Sequence, residues 1–131
     1  MGISPILKIT SIDHIVLTVK DINKSLYFYE TILGLKKEIF NQNRIALTFG
    51  NQKLNLHEYK HEIKPHELIP TPGSIDLCFL TESNISESIK YIQSNGINIL
   101  EGPVQRTGAN GPITSFYIND PDGNLIEIAQ Y

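Results

Sequence analysis

Several features are scarce or absent in this chain, and each absence argues against a kind of protein or a kind of partner. There is no tryptophan and only one cysteine, Cys78, so no intrachain disulfide can form. A single cysteine is typical of a reducing compartment, and we expect a cytoplasmic protein. The N-terminus lacks the positive flank and apolar core of a signal peptide, and no apolar run reaches the length of a membrane span. The formal net charge is −3 with no basic cluster, so we expect neither nucleic acid nor a membrane surface as a partner.

What the chain does contain is one pattern of structure used twice. Its 131 residues are 40% hydrophobic and 19% charged, which is typical of a single globular domain. Residues of about 10–59 and about 74–131 both follow the order strand, helix, three strands, and residues 60–73 between them contain three prolines and are predicted as a linker. The sequence therefore predicts an α+β fold of two tandem βαβββ modules.

Two alignments of the modules are possible. Matching similar residues pairs Asp13 with Asp76, whereas matching the apolar faces of the opening strands pairs His14 with Asp76. We take the second alignment, because a slip of one residue would turn every core side chain to the other face. Gly34 and Gly96, the predicted ends of the two helices, are 62 residues apart, as are His14 and Asp76.

Local signals predict further elements. Asp21 and Asn84 are candidate N-caps of the two helices. Residues 102–111 contain three glycines and a proline and are predicted as a mobile loop beside the site. Cys78 lies in an apolar strand pattern and is predicted to be buried. The predicted strands lie near residues 12–19, 35–40, 44–49, 53–59, 75–81, 97–101, 113–118 and 124–131.

Polar residues interrupt the strands at positions that look equivalent. In the closing strand of each module, alternation sends the aliphatic residues beneath the helix and His57 or Glu127 to the opposite face. The opening strands place His14 and Asp76 on that same face. Two neutral imidazoles and two carboxylates suit a divalent transition metal. Any single histidine is more often a surface or structural residue than a metal ligand. Only the matched positions of the four residues therefore favour a metal site.

Two more residues are candidates for substrate binding. Arg106, in the glycine-rich segment, could clamp an anionic group, and its alternative is an ordinary solvated arginine. Tyr117 could donate a proton or a hydrogen bond to a substrate, and its alternative is a tyrosine with its hydroxyl at the surface. His61 and His66 lie in the linker, where exposure is expected.

Several segments of the chain resemble a known family, the vicinal oxygen chelate superfamily. This superfamily includes glyoxalase I, fosfomycin-resistance enzymes, extradiol dioxygenases, methylmalonyl-CoA epimerase and bleomycin-resistance proteins. The matching segments are residues 13–21 (DHIVLTVKD), 28–35 (FYETILGL) and 119–127 (NDPDGNLIE), the last being the most specific. Among its members, the chain is most similar to small glyoxalase-domain proteins that carry NLHE, here residues 55–58, and GPVQRTGA, here residues 102–109.

The resemblance implies two modules whose sheets curl around an open, metal-bearing groove. His14 matches the opening-strand ligand and Glu127 the closing-strand ligand, and His57 takes the place where glyoxalase I commonly has a glutamate. Asp76 stands where the family usually has histidine, so it could be a ligand or a base. The implied metal is divalent zinc, nickel, iron, manganese or cobalt, and the implied assembly is a homodimer whose groove lies within one chain or across two.

The activity implied is that of a metal-dependent, glyoxalase-like lyase or isomerase. The metal would act as a Lewis acid on a small substrate that chelates it through neighbouring oxygens, and Glu127 or Asp76 would move a proton. An extradiol-type dioxygenase, an epoxide-opening resistance enzyme, a metal-free protein that sequesters a drug, and a non-catalytic regulator are the alternatives left open.

Overall fold

The computed structural model describes residues 2–131, which form two four-stranded mixed sheets. The elements in chain order are β1 (His14–Val19), α1 (Ile22–Leu26) with a π-helical continuation (Tyr27–Ile32), β2 (Lys36–Phe40), β3 (Arg44–Phe49), β4 (Gln52–Glu58), β5 (Asp76–Leu80), α2 (Ile85–Ser94), β6 (Glu101–Gly108), β7 (Gly111–Asn119) and β8 (Leu125–Gln130). The first sheet has the order β1-β4-β3-β2 and the second β5-β8-β7-β6. In each sheet the opening and closing strands of the module pair in parallel, and the other neighbours are antiparallel. The predicted α+β fold with two βαβββ modules is confirmed.

The alignment that pairs His14 with Asp76 also agrees with the structure, since these residues open β1 and β5. Asp21 and Asn84 cap the two helices, each accepting a hydrogen bond from the backbone three residues later, at 3.1 and 3.0 Å. Beyond the helices, Gly34 has a φ of +81°, in the left-handed region where a glycine is favoured over other residues.

The first helix is less regular than its sequence pattern predicts. After Leu26 the backbone follows the π-helical pattern, in which an N–H donates to the carbonyl five residues earlier. An example is the bond from the Leu33 N–H to the Phe28 carbonyl, at 3.0 Å. This stretch buries Phe28, Tyr29 and Ile32. Apolar spacing in a sequence indicates the buried side of a helix, but it carries no information on a wider turn.

One hydrophobic core joins both modules. Helix α1, its π-helical continuation and the inner face of the first sheet contribute Leu17, Tyr29 and Leu54, and the second module contributes Phe79 and Phe116. The opposite face of each sheet lies outside this core, and we call these the two groove faces. The groove face of the first sheet carries His14, Val16, Thr18, Lys53, Asn55 and His57, and that of the second carries Asp76, Cys78, Leu80, Ser115, Tyr117, Glu127 and Ala129.

A buried hydrogen-bond network, which we call the Tyr29–Asp120–Asn124 network, also ties the modules together. The Tyr29 hydroxyl donates to Asp120 Oδ2 at 2.6 Å, and Asn124 Nδ2 donates to the same oxygen at 2.8 Å. Asp120 Oδ1 accepts from the backbone N–H groups of Asp122 and Asn124, both at 2.9 Å. Burial and the charge of Asp120 raise the pKa of Tyr29 well above its usual range. The segment that most resembled the family therefore has a structural function in this fold.

The prediction of a loop at residues 102–111 is wrong, as is the predicted strand at residues 97–101. Strand β6 occupies Glu101–Gly108 instead, with an irregular register between Glu101 and Val104. A Cβ at Gly102 would lie 2.5 Å from the Phe116 Cβ, so this glycine lets β6 approach β7 closely. Glycine and proline signalled a loop in the sequence, whereas in the fold they mark a bulged strand.

The linker has no helix or strand, and part of it lies beside the groove face of the first sheet. Its residues Pro65, His66 and Glu67 line a cavity together with Val16 and His57. Within residues 2–131, no helix is long and apolar enough to cross a membrane.

Candidate functional site

A cavity of about 450 Å³ lies on the groove face of the second sheet. Glu127, Tyr117 and Arg106 all line it, together with Cys78 and Tyr131. Strand β8 supplies Glu127, and β7 places Tyr117 directly opposite it in the ladder. Three residues predicted from sequence to act on a substrate therefore share one cavity.

Arg106 is held at this cavity by two neighbours. Its Nε donates to the Tyr117 hydroxyl oxygen at 3.1 Å, and its Nη2 forms an ion pair with Glu101. The guanidinium carbon lies 5.5 Å from the centre of the Tyr117 ring. The hydrogen bond to Tyr117 is the first cause of a raised pKa for Arg106, so the side chain remains a cation. Because its oxygen accepts from Arg106, the Tyr117 hydroxyl keeps its own hydrogen to donate to a ligand.

Cys78 is exposed, so the prediction that it is buried is wrong. Its neighbours Leu77 and Phe79 pack on the core, and strand alternation sends Cys78 to the groove face opposite Glu127. Although the residue is exposed, desolvation of its thiol, followed by the charge of Glu127, raises the pKa of Cys78 to about 11. The thiol is therefore protonated near neutral pH and is a weak nucleophile.

His57 and Glu127 do not occupy matched positions. In the parallel ladders Asn55 lies opposite Val16, and Glu127 lies opposite Cys78. Since Val16 and Cys78 are equivalent positions of β1 and β5, the counterpart of Glu127 is Asn55, two residues before His57. The prediction failed because alternation reports the face of a strand but not the position along it.

His57 lies instead beneath the linker. It is 4% exposed, and neither ring nitrogen has a hydrogen-bond partner among the residues that the structure describes. Burial, and then the positive charge of Arg44, lower its pKa, so the imidazole is neutral near pH 7. Thr18 Oγ1 and Asn55 Oδ1, on the same groove face, are buried and also without a partner in the described part of the chain.

His14 and Asp76, by contrast, are exposed at the starts of β1 and β5. The Nδ1 atom of His14 lies 2.8 Å from a carboxylate oxygen of Asp13. A carboxylate on one ring nitrogen is the usual way to orient a histidine that binds a metal through the other.

The four predicted metal ligands do not meet in one chain. Between residues 2 and 131, no three or more His, Cys, Asp or Glu side chains come together in a group that could hold a metal ion. The first sheet offers imidazoles and the second carboxylates. The metal-site assignment therefore stays a prediction.

Comparison with known proteins decides the family. The profile of the Glyoxalase/Bleomycin resistance protein/Dioxygenase superfamily matches residues 11–128. The chain belongs to this superfamily. The family resemblance of the sequence is thereby confirmed, and the order of strands in both sheets agrees with it.

Three relatives within the superfamily illustrate its range. The chain is 56% identical to the virulence protein STM3117 of Salmonella typhimurium, over 94% of this chain and 85% of that protein. The crystal structure of that virulence protein superposes with a TM-score of 0.93, covering 95% of this chain and 99% of the other. The glyoxalase domain-containing protein RDO1 of Mycosarcoma maydis is 50% identical over 95% of this chain and 70% of its own length. The metallothiol transferase FosB of Staphylococcus epidermidis is 32% identical over 93% of this chain and 82% of its own.

Sequence reasoning missed several polar residues at these sites. Thr18 and Asn55 follow the same alternation as His14, so a search for polar residues on the groove face would have found them. Glu101, the ion-pair partner of Arg106, was placed at the end of a strand that does not exist, and no sequence signal linked the two residues.

Proposed function

We propose that this protein is a metal-dependent enzyme that acts on a small molecule able to chelate a metal through neighbouring oxygens. The observation that carries the proposal is the cavity on the second sheet, where Glu127, Tyr117 and Arg106 converge. A carboxylate, a hydrogen-bond donor and a fixed cation are the groups needed to move a proton on a bound anionic substrate. Members of this superfamily commonly use a divalent metal, which supports the same class of chemistry.

The donor set favours a site built from two copies of the chain. His14, Asp76 and Glu127 supply one imidazole and two carboxylates, which suit a divalent transition metal such as zinc, nickel, iron, manganese or cobalt. Both β1 and β5 are edge strands, and both groove faces lie outside the shared core. In the proposed homodimer, His14 of one copy joins Asp76 and Glu127 of the other. His57 has no place in this set because it is buried beneath the linker.

In the proposed reaction, each residue of the site has its own role. A bound metal would supply Lewis-acid polarisation of the chelating oxygens. Glu127 takes a proton from the substrate and returns it, and Asp76 is the second carboxylate on the same face. Arg106 holds an anionic group of the substrate, and Tyr117 donates a hydrogen bond to an oxygen that gains negative charge.

Two further functions have specific support. A thiol transfer is favoured by the relative named as a metallothiol transferase. In that reaction the thiol would come from a second substrate, since the raised pKa of Cys78 makes it a poor nucleophile. A metal-free protein that sequesters a ligand is favoured by the lack of three converging ligands within residues 2–131 of one chain.

Metal analysis of protein purified without a chelator tests the proposal. We expect a stoichiometric divalent transition metal that is lost in Glu127→Gln and in His14→Ala. The matched control is His61→Ala, which removes an exposed linker histidine and should keep the metal. Tight binding of a small ligand with no metal in any preparation would contradict the enzyme and support sequestration. A screen of glutathione adducts, epoxides and catechols then separates the lyase, resistance-enzyme and dioxygenase reactions.

A further inference from the structure

The tip of the hairpin between β6 and β7 forms one end of the cavity on the second sheet. Thr107, Gly108 and Ala109 line that end, and Arg106 lies directly before them on β6. Strand β6 is an edge strand of its sheet, bonded to β7. The position of Arg106 therefore depends on how firmly this edge of the sheet is held.

Backbone pairing alone holds this tip weakly. The last pairs of the β6–β7 ladder are Thr107 with Pro112 and Gly108 with Gly111. Proline has no N–H group to donate to a ladder, and glycine has no side chain to pack against a neighbour on the facing strand. The two turn residues between the strands are exposed. A tip of this composition is expected to fray unless another part of the chain holds it.

Tyr131 makes a contact of this kind from the other side of the sheet. It directly follows β8 and lines the same cavity as Glu127. Its hydroxyl oxygen accepts a hydrogen bond from the backbone N–H of Asn110, in the turn, at 2.8 Å. Because β7 lies between β8 and β6 in the sheet, the phenol spans β7 to reach the tip.

Gly108 leaves the space that this phenol occupies. A Cβ at residue 108 would lie 2.5 Å from the Tyr131 hydroxyl oxygen and 3.1 Å from the Tyr131 Cζ atom. Any side chain at this position would therefore push the phenol away from the tip. The φ of Gly108 lies outside the left-handed region, so the glycine serves the close approach of the phenol and not a turn.

We propose that Tyr131 is a positioning residue, which holds the tip of the β6–β7 hairpin and thereby keeps Arg106 at the cavity. Arg106 lies two residues before Gly108 on the same strand, and both line the cavity. A loose tip would let the guanidinium leave its partners Tyr117 and Glu101. With the tip held, an anionic group meets a cation that is already oriented, which lowers the entropic cost of binding. The use of Arg106 on a substrate rests on the proposed function, whereas the contact of Tyr131 with the tip needs neither metal nor substrate.

Nuclear magnetic resonance of the full chain, treated with a chelator and without substrate, tests this inference. Tyr131→Phe keeps the ring and removes the hydroxyl, so hydrogen exchange of the Asn110 amide should become about tenfold faster. Exchange of the Arg106 Nε–H should become about threefold faster, because the strand that carries it opens more often. The urea midpoint should stay that of the unchanged protein, which separates positioning of Arg106 from a general effect on the fold.

A second variant reaches the same contact from the other partner. Gly108→Ala displaces the phenol while Tyr131 itself is unchanged, and both exchange rates should rise as they do in Tyr131→Phe. Tyr91→Phe is the matched control. The Tyr91 hydroxyl also bonds the backbone, since it donates to the Ile32 carbonyl at 2.7 Å, but Tyr91 lies on α2. Its loss should leave both exchange rates unchanged.

Three results would overturn this inference. Unchanged exchange of the Asn110 amide in Tyr131→Phe would mean that the hydroxyl does not hold the tip. Faster exchange at Asn110 with an unchanged Arg106 Nε–H would mean that the tip does not position Arg106. Equal changes in Tyr91→Phe would mean that the fold loosens in general. If Gly108→Ala fails to fold, Tyr131→Phe alone decides the question. Failure of the proposed function would appear instead as protein purified without metal, so the two failures are distinguishable.

Discussion

The two groove faces share one topology and one strand register, yet their chemistry differs. On the first, Thr18, Asn55 and His57 are buried neutral polar residues, and His57 shares a cavity with residues of the linker. The second presents Glu127 beside Tyr117 and the Arg106 cation. Duplication of a module therefore preserves positions, while the side chains at those positions have diverged.

Equivalent positions show the divergence most clearly. His14 of the first sheet corresponds to Asp76 of the second, and Asn55 corresponds to Glu127. One face thus has an imidazole and an amide where the other has two carboxylates. In the proposed homodimer, the imidazole of one face and the carboxylates of the other would together bind the metal.

The largest expected effect is on stability and comes from the Tyr29–Asp120–Asn124 network, which joins the modules that carry the two faces. Asp120→Ala removes the acceptor of four hydrogen bonds in the Tyr29–Asp120–Asn124 network and leaves buried donors unpaired. We expect the free energy of unfolding, measured in urea, to fall by about 3 kcal/mol. Tyr29→Phe removes one of these bonds and should cost about 1 kcal/mol. An unchanged free energy of unfolding in Tyr29→Phe, or separate unfolding of the two modules, would show that the network does not join them.

The next effect is a pH dependence of stability that comes from His57, on the first face. The folded-state pKa of His57 is lowered below its ordinary value of 6.5, so the unfolded chain binds a proton that the folded chain does not. Stability should therefore fall as the pH drops below about 6.5, by at most about 1.4 kcal/mol per pH unit. His57→Gln should flatten this dependence in urea unfolding between about pH 7.5 and pH 5. His61→Gln, at an exposed histidine, is the control, and a slope that is the same in both variants would contradict the buried, neutral imidazole.

A smaller effect is expected for the thiol on the second face. The pKa of Cys78 is raised to about 11, first by desolvation and then by Glu127, so alkylation by iodoacetamide should be slow at neutral pH and accelerate towards that value. Glu127→Gln removes the neighbouring charge and should speed the reaction several-fold at about pH 8. Glu87→Gln, on α2, is the matched control. An unchanged rate in Glu127→Gln would mean that the carboxylate does not lie beside the thiol.

The smallest effect is expected for the ion pair at the edge of the second face. Both Arg106 and Glu101 are partly exposed, so Glu101→Gln should leave the free energy of unfolding nearly unchanged in urea. Its effect should instead appear in substrate binding, because the guanidinium loses a fixed neighbour. A large loss of stability would show that this ion pair supports the fold and does not merely position Arg106.

Local signals in the sequence predicted the fold better than they predicted the candidate site. Strand alternation and the caps Asp21 and Asn84 were sufficient because they depend on neighbouring residues alone. The offset between His57 and Glu127 depends on pairing between distant strands, which alternation does not encode. The strand at Glu101–Gly108 was missed because its glycine serves a close approach to β7. The exposure of Cys78 could have been inferred, since Leu77 and Phe79 on either side face the core.

The most direct test of the central claim is metal binding by a mixture of two variants. His14→Ala and Glu127→Gln, each without metal alone, are mixed under conditions that let subunits exchange. Random exchange makes about half of the dimers mixed. If the site joins one copy's His14 to the other copy's Glu127, each mixed dimer has one intact site of its two. About a quarter of the metal should therefore return. A mixture that stays free of metal would contradict a site shared between two copies.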